Sequence, residues 1–334
     1  MAEHSPHDAP GSRPAPLLEV QHLTVDFATD SGSLRAAEDV SFALYPGQVL
    51  GLVGESGCGK SVSAMSIPRL LPCPPASYSP NSRILWRGQN LLRLPPSALH
   101  KIRGQDIGVI FQEPMTALSP LHRIGAQLAE VYQLHTDLSS AEIRDRSLSW
   151  LRRVGIPDPQ RCLEAYPHEL SGGMRQRVMI AMAMLLQPSV IIADEPTTAL
   201  DVTIQAQILA LLKELLDKNS TLLLITHDMG VIWQMCDSVA VMYAAHLVEC
   251  ASREELFAHP KHPYTQGLLA SIPSLHSQGG HLPHIPGQVP NLLHPRPGCP
   301  FADRCPQVQT ACRQAPSPQL RAISPGHLVS CHLA

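Results

Sequence analysis

Apolar residues recur along this chain in short runs of two kinds. Alternating apolar and polar residues over 17–27 and 37–44 predict half-buried strands, and continuous apolar runs predict buried strands. Helical spacing of apolar residues between these runs predicts intervening helices. The predicted buried strands are 49–53, 107–111, 190–193, 221–226 and 239–243, and the predicted helices are 140–154, 175–186 and 203–216. Strands that alternate with helices indicate an α/β fold with a parallel sheet, beside a small antiparallel layer.

The chain loses this pattern at both ends. Residues 1–16 are rich in Pro, Ser and His, and we expect them to be disordered. Helix-forming residues continue over 254–270, but prolines accumulate beyond residue 283. We therefore expect the last part of the chain to lack a core of its own.

Composition narrows the class of protein only a little. The net charge is −3, so the overall charge does not call for nucleic acid as a partner. No run of 18 apolar residues is present and residues 1–16 lack the apolar core of a signal peptide, so we expect a cytosolic location. Nine cysteines in that compartment argue against a disulfide framework and, where their spacing is non-random, suggest a metal.

The segment GESGCGKS fits the pattern of a phosphate-binding loop. It lies between a predicted strand and a predicted helix, which is the context that such a loop needs. Backbone N–H groups of the loop converge on phosphate oxygens, the lysine reaches the outer phosphates and the serine can ligate Mg²⁺. The predicted nucleotide-binding residues are Gly54, Glu55, Ser56, Gly57, Cys58, Gly59, Lys60 and Ser61.

Further polar residues stand at the ends of predicted strands. Asp194 and Glu195 end one buried run. In an enzyme with a phosphate loop, the first would hold Mg²⁺ and the second would orient or deprotonate the attacking water. Gln112 and His227 follow two other runs. The segment 171–173, a serine and two glycines at a predicted helix start, forms a second anion-binding surface.

The order of these motifs resembles that of the ATP-binding-cassette (ABC) ATPases. The motifs are GESGCGKS at 54–61, Gln112, LSGGM at 170–174, VIIADE at 190–195, Ala199-Leu200-Asp201 and His227. More narrowly, FQEPMTALSP at 111–120 and HPKHPYTQGLL at 259–269 resemble the ATPase subunits of bacterial oligopeptide, dipeptide and nickel importers. The resemblance implies an ABC-type P-loop NTPase core over 17–252 with a helical subdomain at about 113–175, and a Cys-rich C-terminal extension over 253–334.

The resemblance also implies roles for individual residues. The residues implied for Mg²⁺ are Ser61, Gln112 and Asp194. The residues implied for catalysis are Glu195, which would polarise the hydrolytic water, His227, which would sense the γ-phosphate, and Gln112. The residues that would contact ATP bound by a partner subunit are Ser171, Gly172 and Gly173, with Asp201 near the same interface.

Related ATPases usually stack adenine on an aromatic side chain upstream of the phosphate loop. The obvious stretch here, Asp30 to Arg35, contains no aromatic residue. Phe27 could serve if the intervening residues looped out. We interpret it instead as a buried strand residue and leave it outside the predicted site.

The implied function is ATP hydrolysis that energises import of peptides or a related small solute (dipeptide, oligopeptide, nickel or metallophore) across the bacterial inner membrane. The implied partners are a second, homologous ABC ATPase in a heterodimer, two membrane-spanning permease subunits and, indirectly, a substrate-binding protein. The chain would then lie peripherally on the cytoplasmic face of that membrane. Two alternatives are a soluble ABC ATPase acting on DNA or ribosomes, and an iron–sulfur sensor with secondary ATPase activity.

Four cysteines fall within the proline-rich extension, with five, six and eighteen residues between them. A tail with little apolar content needs a cross-link, and a bound metal supplies folding free energy. The spacing matches neither a zinc ribbon nor a ferredoxin, so chemistry alone leaves zinc, an iron–sulfur cluster and incidental thiols open. Importer ATPases with a similar tail bind a [4Fe–4S] cluster, and the resemblance favours that cofactor. The candidate ligands are Cys299, Cys305, Cys312 and Cys331.

Overall fold

The computed structural model describes residues 15–198, 200–216, 220–272, 284–293, 297–314 and 316–334. The tail predicted over 1–16 lies almost wholly outside these residues, and so does Ala199 of the predicted motif at 199–201. All the other predicted site residues are described.

The strands and helices of the described residues follow one another along the whole chain. The strands are β1 (Leu18–Thr29), β2 (Gly32–Leu44), β3 (Val49–Val53), β4 (Ala76–Tyr78), β5 (Arg83–Trp86), β6 (Gln89–Asn90), β7 (Ile107–Ile110), β8 (Val190–Asp194), β9 (Thr221–Thr226), β10 (Ser238–Tyr243), β11 (His246–Ser252), β12 (Arg321–Ser324) and β13 (His327–Val329). The helices are α1 (Lys60–Ser66), α2 (Pro96–Ile102), α3 (Pro114–Ala117), α4 (Ile124–His135), α5 (Ser140–Arg153), α6 (Pro159–Glu164), α7 (Gly172–Met184), α8 (Val202–Leu215), α9 (Met229–Met235), α10 (Arg253–Ala258), α11 (Pro263–Ala270) and α12 (Thr310–Gln314).

A central sheet carries the functional residues. Its strand order is β12-β13-β11-β10-β3-β9-β8-β7, and the five strands from β10 to β7 run parallel. Every residue of β9 is buried, and its alternate residues enter different cores: Leu222 and Leu224 join one apolar cluster, and Leu223 and Ile225 join the other. The sheet is therefore packed on both faces, as expected for continuous apolar strands. The predicted α/β fold is confirmed.

A smaller antiparallel sheet covers one face of the central sheet. Its order is β2-β1-β5-β6, with β4 also paired to β1. The long β1–β2 hairpin runs in register from Leu18 opposite Leu44 to Thr29 opposite Gly32, with irregularities between Val20 and Asp26. The buried side chains of β1 join the same apolar cluster as Leu52 of β3. This sheet is the antiparallel layer predicted from the alternating segments.

Helices α4, α5 and α6 form the helical part of the molecule between β7 and β8. Helix α5 begins with a capping box, in which Ser139 and Glu142 satisfy each other's backbone N–H groups. The buried Leu128, Tyr132 and Leu151 pack into the cluster that also contains α7 and α8. This packing connects the helical region directly to β8 and β9, the strands that precede Glu195 and His227.

The C-terminal part continues the central sheet. Strand β13 pairs antiparallel with β11, where Val329 lies opposite Glu249. The Glu249 carboxylate is fully buried and accepts from the backbone N–H groups of Lys261 and His262, at 2.7 and 3.0 Å, while His327 Nε2 lies 2.7 Å from it. Each buried acceptor is thus paired, which is the condition for burying a carboxylate. The extension packs against the core of the preceding residues.

The helical segment expected over 254–270 consists of two helices. Helix α10 ends at Ala258 and α11 begins at Pro263, because Pro260 and Pro263 lack the N–H groups that a continuous helix needs. Among the described residues, none of the helices has both the length and the apolar character required to cross a membrane.

Candidate nucleotide site

The phosphate loop joins β3 to α1 at the carboxyl end of the parallel strands. Gly59, directly before α1, has a φ of +103°, and a Cβ there would lie 2.2 Å from the carbonyl oxygen of Ala36. A Cβ at Gly54 would lie 2.2 Å from the carbonyl oxygen of Met242. Both distances are far below van der Waals contact with backbone atoms, so these two positions require glycine.

Lys60 lies within the loop with 5% of its surface exposed. Its Nζ donates to the carbonyl oxygens of Gly54, at 2.8 Å, and Glu55, at 3.0 Å. The ammonium is thus held by the loop itself, in the position from which the lysine of such a loop reaches the outer phosphates. Cys58 is buried, and burial raises the pKa of its thiol, so it acts as a packing residue.

Ser61 and Asp194 bring α1 and β8 together. Ser61 Oγ donates to Asp194 Oδ1 at 2.9 Å. Burial raises the pKa of Asp194 and the nearby Glu195 raises it further, against smaller lowering by Ser61 and Lys60. Mg²⁺ prefers carboxylate and other oxygen ligands, and a cation beside Asp194 would favour its ionised form. The pair therefore fits Mg²⁺ together with phosphate oxygens and water.

Glu195 is the centre of the polar contacts beyond β8. Its carboxylate accepts from Thr198 Oγ1 at 2.8 Å and from Gln112 Nε2 at 3.2 Å, and lies 3.3 Å from His227 Nδ1. Burial raises the pKa of Glu195, but hydrogen bonds from Thr198 and His227 and nearby positive charge together outweigh it, so its pKa lies below the ordinary value. Its φ of +44° is strained for a residue with a Cβ. The structure holds an ionised carboxylate in a fixed position.

These side chains surround one cleft of about 670 Å³. The polar wall includes Lys60, Ser61, Gln112, Glu195 and His227, and the apolar wall consists of Phe27, Leu34, Ala36, Val62 and Leu292. Gln112 and His227, predicted from their places after strands, thus meet Glu195 as expected.

The structure corrects the interpretation of Phe27. Its side chain is half-buried and lines the cleft, so it is not simply a buried strand residue. Leu292, from the C-terminal extension, lines the same cleft and was missed. Nothing in the local sequence pattern around Leu292 indicates that role, because more than two hundred residues separate it from the loop.

The second predicted anion-binding surface lies elsewhere. Ser171 and Gly172 are exposed at the start of α7, where Ser171 Oγ accepts from Met174 N at 3.3 Å. Asp201 caps α8 by accepting from Ile204 N at 3.0 Å, beside Val202, which is 84% exposed. Neither the segment 171–173 nor Asp201 is among the residues that line the chain's own cleft.

The four tail cysteines lie close enough for three of them to affect the pKa of the fourth, Cys299. All four are free thiols, and Cys299 N donates to Cys312 O at 2.7 Å. Burial raises the pKa of Cys299 to about 11, with smaller raising contributions from Cys331, Cys312 and Cys305. Within the described residues, however, no group of three or more His, Cys, Asp or Glu side chains is arranged so as to hold a metal ion. The predicted iron–sulfur or zinc cofactor is therefore not confirmed.

Comparison with known proteins defines the class to which this fold and site belong. The sequence model of the ABC transporter family matches residues 37–198, which contain the loop, Gln112, the segment 171–173 and Glu195. The fold is similar to an ATP-binding cassette solved as a dimer in a post-hydrolysis state with bound ADP and Pi. The TM-score is 0.63 at 25% identity, covering 71% of this chain and 98% of that chain.

More similar relatives narrow the family. The chain is 50% identical to the dipeptide transport ATP-binding protein DppD of Bacillus subtilis, over 95% of this chain and 94% of that protein. It is 47% identical to the oligopeptide transport ATP-binding protein OppD of Salmonella typhimurium, over 94% of this chain and 93% of that protein. The chain therefore belongs to the family of ABC transporter ATP-binding proteins that includes DppD and OppD.

Residues 248–312 also match the model of the oligopeptide/dipeptide transporter C-terminal region. The family predicted from the motif order is confirmed. The alternatives of a soluble ABC ATPase and of an iron–sulfur sensor find no support in these matches.

Proposed function

We propose that this chain hydrolyses ATP to energise the import of peptides or a related small solute, as one subunit of a heteromeric ABC transporter. The observation that carries the proposal is that the phosphate loop, Gln112, Glu195 and His227 line one cleft, with Asp194 hydrogen-bonded to Ser61 beside it. Relatives that share about half of its residues along almost their whole length bear the names of dipeptide and oligopeptide transport proteins.

The proposed roles follow from the contacts in the cleft. The loop at 54–61 binds the phosphates through Lys60 and through those of its backbone N–H groups that face the cleft. Ser61 and Asp194, which already share a hydrogen bond, hold Mg²⁺ together with Gln112. Mg²⁺ supplies charge neutralisation on the phosphate oxygens when bound. Every other part of the site positions the nucleotide or the water.

Glu195 acts on the attacking water. Since its pKa is lowered, the carboxylate is ionised at neutral pH and accepts a hydrogen bond from the water. A weakly basic carboxylate orients and polarises the water and accepts its proton as the bond to the γ-phosphorus forms and the bond from that phosphorus to the bridging oxygen of ADP breaks. Gln112 and His227 hold Glu195 in place from two sides and lie where the γ-phosphate would come.

The site needs a second subunit. Ser171, Gly172, Gly173 and Asp201 lie outside the chain's own cleft, and the exposed start of α7 offers backbone N–H groups to an anion. We assign these residues to ATP bound by a second, homologous ABC ATPase. In the proposed heterodimer, the partner's equivalent residues complete the cleft of this chain.

A surface beyond Gln112 is available for the membrane subunits. Met115 and Leu121 are 43% and 81% exposed, and both follow the residue that contacts Glu195. Exposed apolar residues often mark a protein–protein contact. Because these two lie close to a residue of the hydrolysis site, they suit a surface that docks onto the permease subunits. The chain would thus lie peripherally on the cytoplasmic face of the bacterial inner membrane, and a substrate-binding protein would deliver the solute.

The decisive variant is Glu195→Gln in the purified protein. Removal of the positioned base should lower the hydrolysis rate about 100-fold or more. ATP affinity should stay close to that of the wild type, because the loop is unchanged. Equal turnover in the two proteins would refute the assignment, and loss of ATP binding as well would show that the variant had damaged the fold.

The C-terminal extension, 253–334, is proposed as a unit that carries a [4Fe–4S] cluster. Cys331 and Cys312 lie close enough to Cys299 and Cys305 to add to the raising of those two pKa values by burial, and cysteine thiolates are the usual cluster ligands. Cys299, Cys305, Cys312 and Cys331 would hold the cluster and gain folding free energy from it. Zinc is the competing occupant.

Anaerobic purification distinguishes the two occupants. About four irons with matching labile sulfide per chain support the cluster, and Cys305→Ser should remove most of both. Stoichiometric zinc without sulfide would refute the cluster. The exposed Cys73 serves as a matched control, since Cys73→Ser should leave the iron and sulfide content unchanged.

A further inference from the structure

The phosphate loop is held by the C-terminal extension as well as by the strands beside it. Glu55 does not line the cleft, and all of its polar groups are engaged. Its backbone N–H donates to Tyr264 Oη at 2.9 Å, and its carbonyl oxygen accepts from Lys60 Nζ at 3.0 Å. Its carboxylate accepts two hydrogen bonds from Arg304, at 2.6 and 3.0 Å.

The guanidinium of Arg304 is fixed by its surroundings. The side chain is 5% exposed. Its remaining N–H groups donate to Pro286 O at 2.8 Å, Ile285 O at 3.2 Å and Tyr243 Oη at 3.4 Å. All five donors of the planar guanidinium therefore have acceptors, and the two-pronged contact with the carboxylate admits little rotation.

An aromatic cluster sets the position of this arginine. Phe301 is buried and its ring lies 5.1 Å from that of Tyr243 and 5.4 Å from that of Tyr264. A turn follows, in which Arg304 N donates to Phe301 O at 3.0 Å. The same cluster thus places both groups that bind Glu55, the guanidinium of Arg304 and the hydroxyl of Tyr264.

We propose that Arg304 and Tyr264 are positioning residues for the phosphate loop, so that the C-terminal extension is a working part of the nucleotide site. They fix the backbone of Glu55 from one side, and the carbonyl oxygens of Gly54 and Glu55 hold Lys60 on the other. This inference rests on the proposed function of the loop in binding ATP. It assigns to the extension a role in nucleotide affinity.

The alternative is an ion pair that only attaches the extension to the core. Attachment alone would affect the stability of the fold and leave the affinity for ATP as it is. The contacts favour positioning because the acid that Arg304 binds belongs to the loop itself. When Glu55 shifts, one of the two carbonyl acceptors of Lys60 shifts with it, and misplacement of a phosphate-binding cation weakens binding.

The test measures Mg-ATP binding to the full-length chain by titration calorimetry. Arg304→Gln should weaken binding about tenfold through misplacement of the loop, and Glu55→Gln should weaken it by a similar factor. The double variant should be no weaker than either single variant, because both remove the same contact. Arg304→Lys should restore part of the affinity, since a single charged contact remains.

Arg313→Gln is the matched control. Arg313 forms an ion pair with Asp303 in the same extension, but its side chain is 52% exposed and contacts no residue of the loop among the described contacts. This variant should bind ATP as the wild type does. Thermal unfolding of each variant separates a displaced loop from a damaged fold.

Three results would overturn the inference. One is a folded Arg304→Gln variant with wild-type ATP affinity, and another is multiplication of the two single effects in the double variant. If Arg304→Gln does not fold, Glu55→Gln provides the test, because it keeps the backbone contacts to Tyr264 and Lys60. Wild-type ATP affinity in the Glu55→Gln variant would then contradict the positioning role. If the wild-type chain itself does not bind ATP, the proposed function fails first and the positioning role fails with it.

Discussion

The two helix starts that the sequence predicts to bind anions are surrounded very differently. At the phosphate loop, a Cβ on Gly59 would strike a backbone oxygen at 2.2 Å, and Lys60 is almost fully buried. At the start of α7, a Cβ on Gly172 would have no atom within 4 Å, and Ser171 is exposed. Both carry glycines and a hydroxyl, so residue type alone does not distinguish them. The phosphate loop is enclosed by atoms of its own chain, and the start of α7 is open to solvent.

Gly59→Ala should give the largest effect of the substitutions that test this comparison. The added Cβ meets the carbonyl of Ala36, and the φ of +103° is unfavourable for alanine. Overpacking and backbone strain together should lower the free energy of unfolding by about 4 kcal/mol. Urea denaturation measures the loss, and calorimetry should detect little remaining ATP binding. Wild-type stability in this variant would contradict the close packing of the loop.

The pH dependence of stability also distinguishes the two helix starts, because a buried histidine supports the phosphate loop and a serine caps α7. His262 accepts from Tyr264 N at 3.1 Å and so caps the helix that carries the Tyr264 hydroxyl to Glu55. Burial lowers the pKa of His262 to about 4. Because the unfolded chain binds this proton at about pH 6.5, the neutral histidine's contribution is complete above pH 6.5 and is lost as pH falls towards 4. Ser171, which caps α7, does not titrate in this range.

Protonation of His262 in the unfolded chain should lower the free energy of unfolding by about 3 kcal/mol between pH 6.5 and 4. His262→Asn keeps a capping acceptor without a titrating group, so its unfolding free energy should fall less steeply over this range than that of the wild type. Urea denaturation at a series of pH values measures the difference. The exposed His100 provides the control, since His100→Asn should leave the wild-type slope. Parallel curves for the His262 variant and the wild type would argue against burial of a neutral histidine.

Gly172→Ala should have the smallest effect on the isolated chain. Its Cβ points into open space and alanine favours a helix, so stability should change by less than about 1 kcal/mol. Affinity for ATP in the chain's own cleft should stay within about twofold, because the loop is untouched. In the assembled transporter, the methyl group should meet the partner's nucleotide and lower the hydrolysis rate. Weakened ATP binding in the isolated chain would mean that the two helix starts are not separate.

Most of the polar half of the site could be predicted from the sequence. The loop, the carboxylates after β8, and Gln112 and His227 all stand directly after short apolar runs, and parallel strands bring their carboxyl ends to one edge. Local spacing is enough for such residues, because the sheet does the assembling. The five parallel strands of the central sheet, β3, β7, β8, β9 and β10, were predicted because each is a short, continuous apolar run.

The failures lie where contacts join distant parts of the chain. The proline-rich extension has no period that indicates a partner, yet β13 pairs with β11 and Leu292 lines the cleft. Phe27 was interpreted as a buried strand residue because alternation of apolar and polar residues indicates which face of a strand is buried. It does not indicate that the end of the β1–β2 hairpin lies beside the cleft. The break between α10 and α11 departs from the helical segment expected over 254–270, because Pro260 and Pro263 lack the N–H groups of a continuous helix.

By itself, the sequence determined the family, the phosphate loop and the order of the candidate catalytic residues, because these depend on residue type and short spacing. Only the tertiary structure decided that one helix start is enclosed and the other open, since enclosure depends on atoms such as Ala36 O that come from elsewhere in the chain. It alone placed Arg304 against Glu55, 249 residues away. Contacts between distant segments depend on how the surfaces of those segments fit together, and a local pattern of hydrophobic and polar residues does not contain that information.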